Sequence, residues 1–270
     1  MTSWRQTLKK ILPPAAVGAI RETWDSLGRA KEWPQARLHP WRRDSVERLA
    51  GLKDLHRGER CFIIGNGPSL RNTDLSRLRS EYTIGMNRFY LIFPELGFQT
   101  SYFLSINDLV IEQSAADLQN LSMPRFFSWR GRQWLKPADG LHFLYTTYTG
   151  PKFATDIRGR VWEGATVTYV ALQLAYYLGF QEVVLIGVDH SFVSQGKPNT
   201  TVTSQGDDPN HFHPGYFGKG FRWQLPDLET SEISYRMAKD AYERAGRRVI
   251  DATVGGKLTV FPKQDYEGLF

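Results

Sequence analysis

Two hydrophobic patterns alternate along this chain. Short, continuously apolar runs end abruptly in Gly, Asn or Asp, and longer stretches repeat apolar residues at three- and four-residue spacing. The run Cys61-Phe-Ile-Ile ends in Gly65-Asn-Gly-Pro-Ser69, which predicts a buried strand over 61–65 feeding a tight loop. Further strands are expected at 82–87, 102–106 and 141–145, with an apolar piece at 125–128 after a helical segment over 109–121. A short helical stretch is expected around 74–79. The clearest helix is 164–178: Val167, Val170, Ala171, Leu174, Ala175 and Leu178 make one stripe, the mark of a core-facing helix. Thr166 and Thr168 sit where hydroxyls cap free N–H groups, and Gly179 suits the C-terminal cap.

Glu182-Val-Val-Leu-Ile-Gly-Val-Asp189 follows at once. A run this apolar reads as a central parallel strand covered on both faces, and helix, glycine, strand, Asp reads as half of a βαβ crossover. A helix over 229–245 and a strand over 248–252 complete the alternation, with Met237, Ala238 and Ala241 facing inward. The tail, 258–270, is expected to pack back on the domain. Residues 190–228 lack periodicity and are rich in Gly, Pro, Asn, Asp, Ser and aromatics. A loop of that length is usually functional, often a lid. The fold class expected is α/β: a Rossmann-like, mostly parallel sheet flanked by helices, with a long lid over about 190–228 and an N-terminal helical extension.

Residues 1–57 read as broken helix punctuated by Pro13, Pro14, Pro34 and Pro40, so the compact domain is expected over 58–270. Charge sharpens that boundary. Residues 1–60 hold 13 Lys and Arg against 7 Asp and Glu, whereas the remaining 210 hold 21 of each, so the net +6 belongs to the N-terminal region. That region also carries Trp4, Trp24, Trp33 and Trp41 with Leu8, Ile11 and Leu12. Basic residues mixed with Trp and Leu suit an anionic membrane surface; a solvated helical extension resting some Trp on the domain is the plainer alternative. A balanced remainder argues against nucleic acid. No run approaches the roughly 18 apolar residues that span a bilayer. Pro13 and Pro14 interrupt the only early apolar stretch, which argues against a signal peptide. A single cysteine, Cys61, cannot form an intrachain disulfide and fits a reducing cytoplasm. The expected location is cytoplasmic, with peripheral contact to an inner membrane through 1–57.

Five clusters fall at expected strand ends or helix starts: Gly65–Ser69, Asn87, Asn107-Asp108, Gly164–Thr168 and Asp189. Parallel strands put their carboxyl ends on one sheet edge, so the clusters should converge on a ligand. Gly65 and Gly67 let a ligand approach the backbone. Asn66, Asn87 and Asn107 can both donate and accept hydrogen bonds. Ser69, Thr166, Asp108 and Asp189 complete the binding set, and the helix start at Thr166 suits a phosphate. Asp189 serves equally well as a purely structural acceptor of backbone N–H groups. In the lid, Asp207-Asp-Pro-Asn-His211-Phe-His213-Pro-Gly-Tyr216 gathers imidazole, carboxylate and phenol. His211 or His213 can act as a base near neutral pH; the same cluster also suits zinc with Asp207 or Asp208, or a histidine that merely caps the loop. No Gly-x-Ser-x-Gly elbow, no Lys-Ser/Thr of a P-loop and no third glycine of the dinucleotide fingerprint is present.

The ordered set Gly65-Asn-Gly-Pro-Ser-Leu70, Asn87-Arg-Phe-Tyr90, Gly164-Ala-Thr-Val-Thr-Tyr169, Leu178-Gly-Phe180, Ile186-Gly-Val-Asp189 and Asn210-His-Phe212 resembles the bacterial sialyltransferases of the family-42 type. It resembles still more closely their relatives described as domain of unknown function 115, which include motility-associated flagellin glycosyltransferases and archaeal pterin diphosphokinase-like proteins. The resemblance covers about residues 58–262. It implies an inverting glycosyltransferase that needs no metal or other cofactor and uses a nucleotide-sugar co-substrate, CMP-linked in the sialyltransferases. It implies that Asn66, Ser69, Asn87 and Thr166 hold the nucleotide and that His211, or else His213, takes the acceptor's proton. Those sialyltransferases carry a Tyr shortly after the Gly-x-Asp strand; here His190-Ser-Phe192 stands there, so Tyr216, Lys219 or Arg222 is expected to neutralise the leaving phosphate. The acceptor is a glycan, lipid or protein. One rival is a pterin diphosphokinase using ATP with Mg²⁺ on Asp108 and Asp189. The other is a non-catalytic nucleotide-binding scaffold.

Overall fold

The structure, a computed structural model, describes residues 32–148, 150, 152–193, 196–206 and 208–270, together with Thr23 and Leu27. Its centre is an eight-stranded sheet: β1 (Arg60–Ile64), β2 (Tyr82–Met86), β3 (Tyr102–Ser105), β4 (Arg125–Ser128), β5 (Leu141–Thr147), β6 (Arg160–Trp162), β7 (Glu182–Ile186) and β10 (Arg248–Asp251). The spatial order is β10-β7-β1-β2-β3-β4-β5-β6, and every neighbouring pair is parallel. The chain leaves β1 in one direction, runs out to β6, then returns to place β7 on the other side of β1. The switch point of this doubly wound sheet therefore lies between β1 and β7, the crevice where such folds take ligands.

Alternation along the strands builds two cores. Cys61 and Ile63 of β1, with Val183 and Leu185 of β7, face the helices Val167–Leu178 and Leu228–Arg244. Phe62, Ile64, Val184 and Ile186 face the other layer with Phe103, Phe127 and Trp129. Buried on both faces, these strands read as continuous apolar runs, as parallel geometry requires. Thr166 is the N-cap of the long central helix, its side chain accepting from Thr168 N, and Gly179 ends the helix at φ +101°. The tail returns to the sheet, with Leu258 and Phe261 buried and Phe270 stacked on Phe62.

The structure adds elements that periodicity missed. β6 is three residues long. Within the lid, β8 (Thr201–Thr203) and β9 (Arg222–Gln224) form an antiparallel hairpin. The helices Trp33–Leu38 and Pro40–Ala50 are docked on the sheet: Ser45 Oγ accepts from Phe143 N at 3.0 Å, and Arg48 donates to Leu141 O at 2.9 Å. The expectation of a membrane-facing stretch around Trp4, Leu8, Ile11, Leu12 and Trp24 lies outside the described residues. Among the described residues no helix is long and apolar enough to cross a membrane.

Candidate active site

The loop after β1 and the loop after β7 approach at backbone distance. Gly65 N donates to Ile186 O at 2.7 Å and Gly67 N to Gly187 O at 2.9 Å. A Cβ on Gly65 would lie 2.1 Å from Gly187 O, and one on Gly67 would lie 1.8 Å from Asp189 Oδ2. The two glycines are therefore required by the protein's own packing at the switch point. Asp189 accepts from Ser69 N at 3.1 Å and from Ser69 Oγ at 2.7 Å, so both its oxygens are engaged in tying the two loops together.

Above these loops opens a cleft of about 900 Å³. Gly65, Asn66, Gly67, Asn87, Asn107, Asp108, Thr166, Asp189, His211 and Tyr216 all line it. The clusters scattered over 150 residues of sequence thus meet at one sheet edge. Ser69 and His213 are not among the lining residues. Ser69 is buried against Asp189, and His213 Nδ1 accepts from Gly215 N at 3.1 Å, closing a turn. Neither Lys219 nor Arg222 lines the cleft; the Arg222 guanidinium pairs with Glu112 at 2.7 Å.

The asparagines differ in what they have left to offer. Asn107 Oδ1 caps the helix Asp108–Gln113 through Leu109 N and Val110 N, at 2.9 and 3.3 Å. Asn87, held at φ +54°, accepts from Ser105 Oγ and shares a hydrogen bond with the Tyr216 hydroxyl. Asn66 Oδ1 is buried and has no partner among the described residues. A buried acceptor of this kind calls for a donor from a ligand or water.

The lid segment carrying His211 is pinned by main-chain contacts. Phe212 N donates to Asn66 O at 2.9 Å, and Arg71 donates to Phe212 O at 2.8 Å and to His211 O at 2.9 Å. Arg88 donates to Gly215 O and Tyr216 O. The His211 ring stacks on Tyr216 with centroids 4.0 Å apart and planes 8° from parallel. Its Nδ1 stands 2.6 Å from Oδ2 of Asp208, a carboxylate almost wholly buried. With Asp208 accepting, Nδ1 carries the proton and Nε2 is the basic nitrogen. Burial pushes the Tyr216 phenol well above its ordinary pKa, so this hydroxyl stays protonated.

Sequence reasoning misses Arg130 and Glu163 in this site, and offers Asp208 only as a candidate zinc ligand and His190 only as a neighbour at the start of the lid. Arg130 follows β4 and is the only Lys or Arg lining the cleft among the described residues. Its guanidinium reaches Asp108 at 2.8 Å and Glu163 at 2.8 Å. Burial works against its charge, but Glu163 and Asp108 outweigh burial and hold it above its usual pKa. His190, at φ +53°, sits 3.2 Å from Glu232. Asp208 was visible only as one of two acidic neighbours of His211, with nothing in the pattern to say which one turns inward. Among the described residues no three His, Cys, Asp or Glu side chains gather as metal ligands. The carboxylates expected to hold Mg²⁺ are already engaged, Asp108 with Arg130 and Asp189 with Ser69.

Solved structures similar to this chain include the MAf glycosyltransferase from Magnetospirillum magneticum AMB-1, at 15% identity and TM-score 0.49, over 85% of this chain and 39% of that one. The chain thus spans well under half the length of that protein. Also similar is the sialyltransferase CstII from Campylobacter jejuni, in a complex with cytidine-5'-monophosphate (15% identity, TM-score 0.43, 77% of this chain and 85% of that one). A second CstII complex, with CMP-3FNeuAc, matches at 14% identity and TM-score 0.43 over 76% and 85% of the two chains. No curated protein matches the chain. The family model for 6-hydroxymethylpterin diphosphokinase MptE-like proteins matches residues 41–195, more than half of the chain and most of the sheet; the chain belongs to this MptE-like family.

Proposed function

We propose that this protein transfers a sugar from a nucleotide-activated donor to a hydroxyl acceptor, with His211 as general base. The observation that carries the reading is the Asp208–His211–Tyr216 arrangement at the switch-point cleft. A buried carboxylate holds Nδ1 and a stacked phenol fixes the ring plane, which leaves Nε2 for a substrate proton. The cleft's volume suits a nucleotide sugar. In the proposed step the acceptor oxygen bonds to the anomeric carbon as its proton passes to His211 Nε2. The bond from that carbon to the phosphate oxygen breaks with inversion, and the electron pair leaves on the phosphate. Free N–H groups and the dipole at the start of the helix Val167–Leu178 favour that developing charge. Asn66 Oδ1 accepts from the base or sugar of the nucleotide. A CMP-linked nonulosonic acid is the donor we favour. Asp208 is a positioning residue, and Tyr216 acts as the platform for His211.

Family membership favours a second reading, transfer of diphosphate from ATP to a pterin. Against it stand the single, doubly paired Arg130 and the committed carboxylates of the cleft. Thermal melting in a panel of nucleotides and nucleotide sugars separates the two, since a ligand in excess over its Kd raises the melting temperature. Stabilisation by CMP or another nucleotide-sugar product in EDTA supports the glycosyltransferase reading. Stabilisation confined to ATP with Mg²⁺ overturns it.

A further inference from the structure

A second cavity, of about 590 Å³, lies beside the outer edge of the sheet, between β5–β6 and the helices Trp33–Leu38 and Pro40–Ala50. It shares no lining residue with the cleft. Five arginines line it, Arg37, Arg42, Arg43, Arg158 and Arg160, against one carboxylate, Glu47. Arg158 is paired with Asp156 at 2.6 Å. Among the described residues Arg37, Arg43 and Arg160 have no carboxylate partner; Arg37 lies over the Trp33 ring, and Arg160 over the rings of Tyr145 and Trp162.

Two side chains in this cavity are buried with unmet hydrogen-bonding capacity. Arg42 is 2% exposed. Its Nη2 donates to Arg158 O at 2.7 Å, but Nε and Nη1 have no partner among the described residues. Tyr145 is 7% exposed, and its hydroxyl is likewise without a partner among them. A buried guanidinium with neither a counter-ion nor a full set of acceptors is costly. Two residues with such groups line one arginine-rich pocket, where an anion would offer both the acceptors they lack. Burial lowers the Arg42 pKa to about 10, still leaving it charged at neutral pH.

We propose that this pocket binds a phosphate monoester, with Arg42 and Tyr145 as its inner donors and Arg160 and Arg43 at its mouth. Converging guanidinium groups match a dianionic phosphate better than a carboxylate, because each Arg offers parallel donors to phosphate oxygens. The cavity is far larger than phosphate itself, and Ala36, Val46 and the Trp33 ring supply surface for an organic body. A soluble phosphate ester and the headgroup of a lipid such as phosphatidic acid share this chemistry. Seven of the lining residues, from Trp33 to Glu47, belong to the basic, Trp-rich N-terminal region, whose composition favours a lipid source. The site is independent of the proposed transferase chemistry.

The test uses the full chain and four variants: Arg42→Met, Tyr145→Phe, Arg160→Gln and, as a control in the cleft, His211→Asn. Inorganic phosphate is titrated against chloride at matched ionic strength, with thermal melting as readout. In parallel, co-sedimentation is measured with phosphatidylcholine vesicles, with and without phosphatidic acid. The expected result is a phosphate-dependent rise in melting temperature that His211→Asn keeps. Arg42→Met should weaken it by about tenfold or more, the worth of one charge-assisted hydrogen bond. Arg160→Gln, on the edge strand β6, should move the same way and decides the matter if Arg42→Met folds poorly. Loss of phosphatidic-acid pelleting in Arg42→Met assigns the phosphate to a lipid; unchanged pelleting with a lost phosphate response assigns it to a soluble ester. Equal phosphate response and equal pelleting in wild type, Arg42→Met and Arg160→Gln would overturn the proposal.

Discussion

Gly67→Ala measures how tightly the loops at the switch point are bound to one another. Gly67 has φ −72°, an angle that alanine adopts freely, so the substitution introduces no backbone strain. The added Cβ instead meets Asp189 Oδ2 at 1.8 Å, its Cγ at 2.5 Å and Gly187 O at 2.9 Å. Asp189 must swing away and lose its bonds from Ser69 N and Ser69 Oγ. Two hydrogen bonds to a charged acceptor are worth about 1.5–3 kcal/mol each, and restricting the unfolded chain returns about 0.4–1 kcal/mol, so the net loss is about 2–5 kcal/mol. Gly51→Ala is the matched control. Gly51 has φ −71°, and its Cβ would meet only Arg48 O, at 3.6 Å, so a gain of up to about 1 kcal/mol is expected. Urea denaturation followed by circular dichroism compares the two. A difference below about 1 kcal/mol between them would refute the claim that Asp189 is a structural tie, because alanine at Gly67 would then be accommodated at little cost.

Other consequences are open to test. His142 is 5% exposed; burial, helped by Arg48, lowers its pKa to about 4, and its Nδ1 has no partner among the described residues. Its charged form is disfavoured in the folded state, so the stability it contributes is complete above about pH 6.5 and is lost as pH falls toward 4, by roughly 3 kcal/mol. His142→Phe, which keeps a ring against Phe126, should flatten that part of the pH–stability curve; an unchanged slope would count against it. Asp208→Asn keeps an Oδ1 acceptor for Asn210 N and so should leave the fold intact, while disturbing the tautomer and aim of His211 should lower transfer by about 10²–10⁴-fold with little change in KM. A change confined to KM would argue against the positioning role. Arg130→Gln leaves Asp108 and Glu163 without their shared cation and should cost about 2–4 kcal/mol at pH 7 in urea denaturation; a neutral outcome would argue that the pairing is weak.

The sheet was legible where a long apolar run is buried on both faces, whereas the short, fully buried Arg125–Ser128 showed only as an apolar piece. Cys61–Ile64 and Glu182–Ile186 announce themselves as unbroken apolar runs, and the stripe from Val167 to Leu178 has no other reading than a core helix. β6 escaped because Arg160-Val-Trp162 is too short for a pattern and its ends are half exposed. The hairpin Thr201–Thr203 with Arg222–Gln224 escaped because each strand is only three residues long, too short for the alternation of Thr-Val-Thr and Arg-Trp-Gln to stand out. In the site, residues at the carboxyl ends of apolar strands were legible from topology alone, Asn66 and Asn87 among them. Arg130 was not: it sits in a single helical turn after β4, where one Arg among Trp129-Arg-Gly-Arg132 has no distinguishing signal. Ser69 and Asn107 have the residue types of ligand donors, but their side chains complete the loop and the helix start instead. Sequence spacing cannot tell a donor spent on the fold from one left for a ligand.

The most direct test of the proposed function is release of free nucleotide from a panel of nucleotide sugars in EDTA, with and without acceptor hydroxyls, followed by mass spectrometry. The expected result is release from one donor class by the wild type, raised by an acceptor and lost by about 10²-fold or more in His211→Asn. No release from any donor, or release unchanged by His211→Asn, would contradict a sugar transfer that depends on His211.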